Sequence, residues 1–461
     1  MNLRGHAVTA ELTWLDGRFQ PGVTLHISPE GVIGAIDRAA SPPDAIRLHR
    51  RALMPGFVNA HSHAFQRALR ATPQRFDAGA GDFWTWRQTM YRLAESLDVQ
   101  SFYEASRRAF EDMLRAGITT VGEFHYLHHA GEIAEMRWAF DDALISAAND
   151  AGIRLVLIQT YYATGGVGRP LEGAQRRFGP VDRAAFMRQL ESLAGRLDAV
   201  GQHTALACHS LRAVGLDEMR FLRDASIRNG WPFHIHVEEA RQEIDDCRAA
   251  YGRGALATLL ATIPVDATVT AIHCTHSTQD DLREYLTRGG RVCLCPLTEA
   301  NLSDGFPEVP FIRSIGGEIC FGTDCNLRVS AVEELRWLEF TQRLRRERRG
   351  VVVDAGGSSA DALIAIGTRN GAAALGLTTG AITPGAPADL LAIRLDDPAV
   401  ADAPSEALAD AFIFGCGNGP IEAVWINGTP PPTGTPPPQP ASQPAPRAQA
   451  TPSNPRRGPS P

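Results

Sequence analysis

The chain has 461 residues, of which 44% are apolar and 21% are charged, and its net charge is −7. This composition excludes a fibrous or wholly disordered protein, and the acidic balance argues against a nucleic-acid partner. One basic cluster is the main exception, and we interpret it as a solvated helix face: Arg343, Arg345, Arg346, Arg348 and Arg349. No apolar run reaches the roughly 18 to 20 residues of a membrane span, so we expect a cytoplasmic protein without membrane contact. We also expect a homodimer.

Two residue types limit the metal chemistry that is available. The eight cysteines show no paired spacing of the zinc-ribbon kind, so we interpret them as reduced and mostly buried thiols. Cys293 and Cys295 share one face of a predicted strand, which suits packing as well as it suits a metal. The chain contains no lysine, so all 45 basic residues are arginines.

Short apolar runs alternate with turn residues in the first part of the chain, as in residues 23–27 and 31–36. This pattern predicts strands, and we assign residues 1–52 to the N-terminal part of a small β-sandwich. From residue 53 to residue 376, apolar β-rich runs alternate with longer helical stretches. Continuous apolar strands that alternate with helices predict a parallel sheet covered on both faces.

Histidines and acids stand at the C-terminal ends of these apolar runs. A (β/α)8 TIM-like barrel builds its active site from such strand ends, where several side chains can meet one ligand. A doubly wound open sheet also places polar groups there, but no glycine-rich nucleotide loop stands in the required strand-to-helix position. We therefore predict an α/β barrel for residues 53–376.

Strand character returns after the barrel, in residues 387–393 and 423–427. We assign residues 377–428 to the C-terminal part of the β-sandwich, which the two ends of the chain would build together. Residues 429–461 are rich in proline and have few large apolar side chains. Such a segment cannot bury enough surface to offset its ordering entropy, so we expect a disordered tail.

His61 and His63 follow an apolar segment and are separated by one residue, so both imidazoles can reach one ion from the same strand face. Later strand ends supply four more candidates: His236, Glu239, His273 and Asp324. Imidazole and carboxylate ligands with an open position suit zinc, which lowers the pKa of bound water to about 7. Iron and manganese accept similar ligands. The pattern predicts a metal-dependent hydrolase.

The order His-x-His, His-x-x-Glu, His and Asp resembles the amidohydrolase superfamily, over about residues 10 to 427. The resemblance implies a distorted (β/α)8 barrel with a flanking β-sandwich. Many members hold two metals bridged by a carboxylated lysine, which this chain cannot supply. The resemblance therefore implies the deaminase-like branch with one Zn2+ per chain, and a bridge from Glu123 is the alternative that stays open.

A narrower resemblance, to the formimidoylglutamate deiminases of histidine degradation, rests on five stretches: 61–67, 83–91, 123–129, 209–212 and 296–302. The Phe-Trp-Thr-Trp-Arg motif within 83–91 separates this family from guanine and cytosine deaminases. The resemblance implies these zinc ligands: His61, His63, His236 and Asp324. It implies these catalytic residues: Glu239, His273 and Asp324. It also implies a pocket for a small substrate with carboxylates, lined by Gln66, Arg87, Tyr126, His209 and Arg212.

The implied reaction is hydrolytic deimination of N-formimino-L-glutamate to N-formyl-L-glutamate and ammonia. Glu239 would protonate the departing nitrogen, and Asp324 or His273 would accept a proton from the attacking water. Two alternatives stay open. One is another deaminase of the superfamily that acts on a guanine-like ring or a different amidine, and the other is a barrel that binds without catalysis.

Several aromatic residues near these motifs are interpreted as structural. Trp84 and Trp86 are expected to pack the pocket wall. We interpret His234 as a hydrogen-bonded core histidine. The remaining histidines of these motifs are not expected to be metal ligands: His125, His128, His129 and His276.

Overall fold

The computed structural model describes residues 1–38, 41–72, 81, 83–131, 136–180 and 182–432. Most of the predicted tail, residues 433–461, lies outside the described residues. The domain limits at residues 52, 376 and 428 remain predictions.

The strands are β1 (Ala7–Leu15), β2 (Arg18–Gln20), β3 (Thr24–Ile27), β4 (Ile33–Asp37), β5 (Ile46–Pro55), β6 (Phe57–Ser62), β7 (Ile118–His125), β8 (Arg154–Tyr161), β9 (His203–Ser210), β10 (Phe233–Val237), β11 (Val269–His273), β12 (Arg291–Leu294), β13 (Ile319–Phe321), β14 (Leu390–Arg394) and β15 (Ile421–Trp425). The α-helices are α1 (Phe83–Ser96), α2 (Val99–Arg115), α3 (Ala139–Ala151), α4 (Arg183–Asp198), α5 (Leu216–Asn229), α6 (Arg241–Tyr251), α7 (Ala255–Thr262), α8 (Gln279–Thr287), α9 (Pro296–Leu302), α10 (Val309–Ser314), α11 (Ala331–Arg346), α12 (Ser359–Gly367), α13 (Arg369–Ala374) and α14 (Leu408–Asp410). Short 3-10 helices cover Ala64–Ala71 and Gly173–Arg177, and a π-helical turn covers Ala411–Gly415.

Eight parallel strands form a barrel in which neighbours along the chain are also neighbours in the sheet, from β6 to β13. β7 and β8 are buried at every residue, as expected for strands that are covered on both faces. The barrel closes where Ser62 forms a parallel bridge with Asp324, and the backbone N–H of His63 donates to the Asp324 carbonyl at 2.8 Å. The ends of the first and last barrel strands are therefore fixed against each other.

The second sheet combines strands from both ends of the chain, in the order β15-β14-β5-β1-β3-β4 with β2 beside β1. β14 pairs antiparallel with both β5 and β15, so the C-terminal strands extend a sheet that the N-terminal strands begin. A buried ion pair joins this sheet to the barrel, since Arg154 in β8 donates to Asp389 at 2.7 and 3.0 Å. The predicted barrel and the β-domain from both chain ends are confirmed.

Local signals explain where several helices begin and end. α2 begins at a capping box in which Asp98 accepts a hydrogen bond from the backbone of Ser101 at 2.8 Å. α3 ends at Gly152, whose φ of 77° suits a residue without a side chain. At the end of α11, Arg345 and Arg346 pair with Glu308, as expected for a solvated helix face. None of the helices in the described ranges has the length and apolar composition that crossing a membrane requires.

Candidate active site

Three histidines meet at the C-terminal end of the barrel, as the sequence predicts. His61 in β6 and His63 just after it lie with His236 of β10, and their ligand atoms are within 4.8 Å of one another. Backbone carbonyls hold two of these rings in place. His63 Nδ1 donates to the Phe124 carbonyl and His236 Nδ1 donates to the His209 carbonyl, each at 2.9 Å. The Nε2 atoms therefore carry lone pairs that point into the barrel.

Asp324 joins this group from the loop that follows β13. Its Oδ1 lies 3.3 Å from His63 Nε2 and 3.6 Å from His61 Nε2. The backbone of Asp324 has a φ of 49°, and its N–H donates to the His61 carbonyl at 3.1 Å. A non-glycine residue held in this strained region directs its side chain where the regular strand would not. The barrel closure thus places the carboxylate beside the histidines.

The donor set fits a metal cation. Burial lowers the pKa of all three imidazoles, that of His61 to about 3, so the rings are neutral ligands. Burial opposes the charge of Asp324, but a hydrogen bond from His61 and the nearness of His63 lower its pKa below the usual range. Neutral imidazoles and one ionised carboxylate are the ligands that zinc prefers.

Burial disfavours the thiolate form of the cysteines. Within the described ranges all eight are buried and free of disulfides, as predicted. Cys295 lies close to His273 and Asp324, but burial raises its pKa well above the usual value. Burial therefore favours the neutral thiol.

Glu239, in the loop after β10, and His273, at the end of β11, face the same cluster. His273 Nε2 lies 3.6 Å from Glu239 Oε1 and 3.8 Å from Asp324 Oδ2, and His273 Nδ1 lies 3.3 Å from Glu299 Oε1. Burial raises the pKa of Glu239, and the charges of His273 and Arg212 offset this only in part. Burial alone would lower the pKa of His273, but the three surrounding carboxylates raise it to about 10. Both groups can therefore hold a proton close to the cluster.

All five residues that the family resemblance implies for the substrate pocket line one cavity beside the cluster: Gln66, Arg87, Tyr126, His209 and Arg212. Gln66 Nε2 donates to the Tyr126 hydroxyl at 2.8 Å, which fixes both side chains. Burial and the nearby charge of Arg212 lower the pKa of His209 well below its usual value, so this ring is neutral. The roles of these residues remain predictions.

The two arginines of the cavity have different surroundings. Arg212 is buried and lies 3.4 Å from Glu239 Oε2 and 3.6 Å from Glu243 Oε1. Arg87 stacks over the Tyr91 ring and donates to the Tyr162 hydroxyl at 3.2 Å. No carboxylate in the part of the chain that the structure describes forms an ion pair with Arg87.

Several cavity residues were not predicted from the sequence. Tyr162 and Met90 line the cavity, and so does Tyr91, which lies inside a motif but had no assigned role. Tyr162 follows the apolar run of β8, and its place directly after that strand end was the available signal. Trp86 also lines the cavity, in agreement with its predicted place in the pocket wall.

His125 and His128 form a separate buried network rather than part of the metal cluster. His125 Nε2 and His128 Nδ1 donate to Asp141 Oδ1 at 2.9 and 3.0 Å, while His128 Nε2 donates to the Thr160 carbonyl at 2.9 Å. Gln159 donates to the other Asp141 oxygen at 2.8 Å. Burial opposes the charge of Asp141, but the two histidines hold its pKa below the usual range. The two histidines and Asp141 therefore have hydrogen-bond partners without a metal.

The other predicted structural histidines are also hydrogen-bonded. His234 donates to the Ala374 carbonyl at 3.1 Å and is a core histidine, as predicted. His129 Nε2 donates to the Gly179 carbonyl at 3.0 Å. Glu123, the alternative bridging ligand, accepts a hydrogen bond from the backbone of Ala64 at 2.6 Å and belongs to none of the ligand groups found among the described residues.

Comparison with known proteins agrees with this geometry. The sequence model of the amidohydrolase family matches residues 52–430. The chain belongs to the amidohydrolase family. Members of this family generally bind a metal, and the predicted hydrolase class and fold are confirmed.

Two relatives are more specific. This amidohydrolase is 36% identical to a formimidoylglutamate deiminase of Pseudomonas aeruginosa over 430 residues, which cover 92% of this chain and 93% of that protein. It is 24% identical to a 5-methylthioadenosine/S-adenosylhomocysteine deaminase of Pelotomaculum thermopropionicum, over 86% of this chain and 84% of that protein.

Solved structures share the whole fold. An amidohydrolase from Brucella melitensis is 33% identical and superposes with a TM-score of 0.85, covering 92% of this chain and 94% of that chain. An adenosine deaminase from Xanthomonas campestris, solved with bound zinc, is 22% identical and has a TM-score of 0.76, with 93% of each chain covered. The likeness to the Xanthomonas campestris structure concerns the fold alone.

Proposed function

We propose that this enzyme hydrolyses N-formimino-L-glutamate to N-formyl-L-glutamate and ammonia. The observation that carries the proposal is the pair Arg87 and Arg212 on one cavity with Glu239 and Asp324. The cavity thus combines cations that suit carboxylates with acids that suit an amidine. The Pseudomonas aeruginosa relative, which matches this chain over almost its entire length, bears the name of this activity.

The α-carbon of the substrate carries both the formimino-substituted nitrogen and one carboxylate, and the second carboxylate stands at the end of the side chain. Arginine recognises carboxylates through parallel hydrogen bonds, so we assign the two carboxylates to Arg87 and Arg212. Arg87 is the freer of the two, because no ion pair with a described carboxylate occupies it. Gln66, Tyr126 and His209 add donors around the same space. The formimino carbon would then lie toward the histidine cluster.

We propose one zinc ion per chain, held by His61, His63, His236 and Asp324. When bound, the metal supplies a Lewis acid that lowers the pKa of a water molecule to about 7. The residues of the chain hold and move the protons. Asp324, whose carboxylate is ionised, accepts a proton from the attacking water, and Glu239 delivers one to the departing nitrogen, which leaves as ammonia. The carbon gains an oxygen and becomes the formyl group.

A substrate panel tests the proposal. Ammonia release is measured with N-formimino-L-glutamate, N-formimino-L-aspartate, guanine and cytosine at equal concentration. We expect the first compound to be turned over with the highest kcat/KM, because the Pseudomonas aeruginosa relative bears the name of this activity and because guanine and cytosine offer no carboxylate to Arg87 and Arg212. Turnover of guanine or cytosine without turnover of N-formimino-L-glutamate would contradict it. A cytoplasmic location and a homodimer remain predictions, which fractionation and light scattering can check.

A further inference from the structure

Glu243 is a buried acid that the proposed reaction does not yet use. It lies in the first turn of α6, and its exposed fraction is 0%. Its Oε2 atom accepts a hydrogen bond from the backbone N–H of Glu238 at 2.8 Å. Its Oε1 atom lies 3.6 Å from Arg212 Nε. One carboxylate thus contacts both the loop that carries Glu239 and an arginine of the candidate substrate cavity.

The contact with Glu238 belongs to the local structure of the chain. Glu238 has a φ of 53°, which is uncommon for a residue with a side chain, and its buried N–H needs an acceptor. Glu243 supplies that acceptor, and its own N–H donates to the Ala240 carbonyl at 3.0 Å. An acid in the first turn also suits the positive end of the helix dipole. Folding therefore accounts for the Oε2 atom but not for the Oε1 atom.

The Oε1 atom of Glu243 has Arg212 as its cationic neighbour. Glu243 Oε1 and Arg212 Nε are both buried, and neither has a hydrogen-bond partner among the described residues. A buried charge is unfavourable unless an opposite charge accompanies it, so the two groups depend on each other. Burial opposes the charge of Arg212, but Glu243 and then Glu239 raise its pKa above the usual value.

Three contacts set the direction of the Arg212 guanidinium. Its Nε faces Glu243, its Nη2 lies 3.4 Å from Glu239 Oε2, and its central carbon lies 5.3 Å from the centre of the Phe83 ring. Glu239 and Phe83 line the cavity, whereas Glu243 stands outside it. Arginine binds a carboxylate best through two parallel N–H groups, so the direction of the guanidinium decides how well it can bind one. Because Glu243 faces the Nε edge, another edge is left for the cavity.

We propose, on the basis of the proposed function, that Glu243 is a positioning residue that directs Arg212 toward a carboxylate of the substrate. Glu239 is the other carboxylate that pairs with Arg212 among the described residues. Without the charge of Glu243, a closer pair between Arg212 and Glu239 would withdraw the guanidinium from the substrate. Glu243 thus adapts the cavity to an anionic substrate without touching the substrate itself.

A double-mutant cycle in the zinc-loaded enzyme tests this role. KM and kcat for N-formimino-L-glutamate are measured in the wild type, Glu243→Gln, Arg212→Gln and the double variant. The assay is run at about pH 8, because burial raises the pKa of Glu243 to about 7. Glutamine keeps an oxygen that can accept the Glu238 N–H and removes the charge that faces Arg212.

We expect Glu243→Gln to raise the KM about 10- to 100-fold, as the loss of a contact between charged groups would, with a smaller change in kcat. In the Arg212→Gln background the same substitution should lower kcat/KM no further, because the residue through which it acts is already gone. The dissociation constant of N-formyl-L-glutamate, which keeps both carboxylates, should rise with the KM. Zinc content and unfolding temperature should stay at wild-type values.

Two controls separate this role from a general effect of charge. In the Arg87→Gln background, Glu243→Gln should lower kcat/KM by the same factor as in the wild type, because no described contact joins Glu243 to Arg87. Asp245→Asn removes an exposed acid from the same helix and should change neither constant. If Glu243→Gln does not fold, Glu243→Asp takes its place in the cycle, because aspartate keeps the charge but does not reach as far.

The outcomes separate the two proposals. If the wild type releases no ammonia from N-formimino-L-glutamate, the proposed function is wrong and the role of Glu243 is wrong with it. If the wild type is active, three results would show that only the assignment of Glu243 is wrong. They are wild-type constants in Glu243→Gln, loss of zinc from that variant, and an equal fall in kcat/KM with and without Arg212.

Discussion

The Nε2 atoms of His61 and His236 lie 3.1 Å apart at the mouth of the barrel. His236 Nδ1 donates to the His209 carbonyl, so His236 Nε2 carries a lone pair in the neutral ring. His61 Nδ1 is buried and has no hydrogen-bond partner in the described parts of the chain. A cation that both Nε2 atoms ligate fits this close approach.

Removal of one proposed metal ligand tests this centre. His236→Ala should reduce zinc affinity by more than the roughly 10- to 100-fold that loss of an outer partner costs, and turnover should fall with it. The matched control is His234→Gln, which changes a histidine of the same strand that donates to the Ala374 carbonyl and belongs to none of the ligand groups found among the described residues. The control should retain the metal. Equal zinc content in the two variants, measured by mass spectrometry, would show that His236 is not a ligand.

Glu239 should be essential for turnover but not for metal binding. Glu239→Gln keeps the shape of the side chain and removes its proton transfer, so we expect kcat to fall by about 10² to 10⁴ with zinc retained. Glu238→Gln is the control, because Glu238 accepts a hydrogen bond from the Leu256 backbone at 3.1 Å and lies outside the cavity. Near wild-type kcat in Glu239→Gln would mean that another group delivers the proton.

Arg87 should act in substrate binding. Arg87→Gln removes a cation that faces the cavity without a described carboxylate partner, so KM for N-formimino-L-glutamate should rise about 10- to 100-fold. Arg92→Gln is the control, since Arg92 lies on the same helix and is exposed. Steady-state kinetics measures both variants. If KM rises equally in the two, the effect reflects general charge and not a carboxylate contact.

The Asp141 network should stabilise the fold in a pH-dependent way. Asp141→Asn leaves the donors of His125 and His128 without their carboxylate, and breaking a buried charge network of this kind costs about 3 to 5 kcal/mol. The folded protein holds the pKa of Asp141 below its usual value. The stabilisation is therefore present above the unfolded value of about 3.9 and is lost as pH falls below it.

Thermal unfolding at several pH values measures this effect. The difference in unfolding temperature between wild type and Asp141→Asn should be large at pH 7 and should shrink toward pH 4 and below. Asp142→Asn is the control, because Asp142 is exposed and pairs only with an exposed arginine, Arg196. A difference that does not depend on pH would assign the loss to packing and not to charge.

The strand-end histidines and the barrel could be predicted because both depend on local patterns. Apolar runs indicate buried parallel strands, and parallel strands bring their C-terminal ends together, so His61, His236 and His273 must approach each other. The predicted histidine ligands follow from that rule. The missing lysine limited the centre to a form without a carboxylated bridge.

Other features depend on contacts that no local pattern encodes. Asp141 reaches His125 from a helix 16 residues later. Tyr162 enters the cavity because the chain turns after β8. These positions are set by tertiary packing. The sequence around these residues contains no pattern that would predict a role for them.

The most direct test of metal-dependent deimination is ammonia release from N-formimino-L-glutamate before and after removal of zinc. The purified enzyme is assayed, treated with a chelator and dialysed, and then assayed again with and without added zinc. We expect ammonia and N-formyl-L-glutamate in equal amounts, loss of activity after chelation, and recovery with about one zinc per chain. Undiminished turnover in enzyme that contains no metal, or no ammonia from the zinc-loaded enzyme, would contradict it.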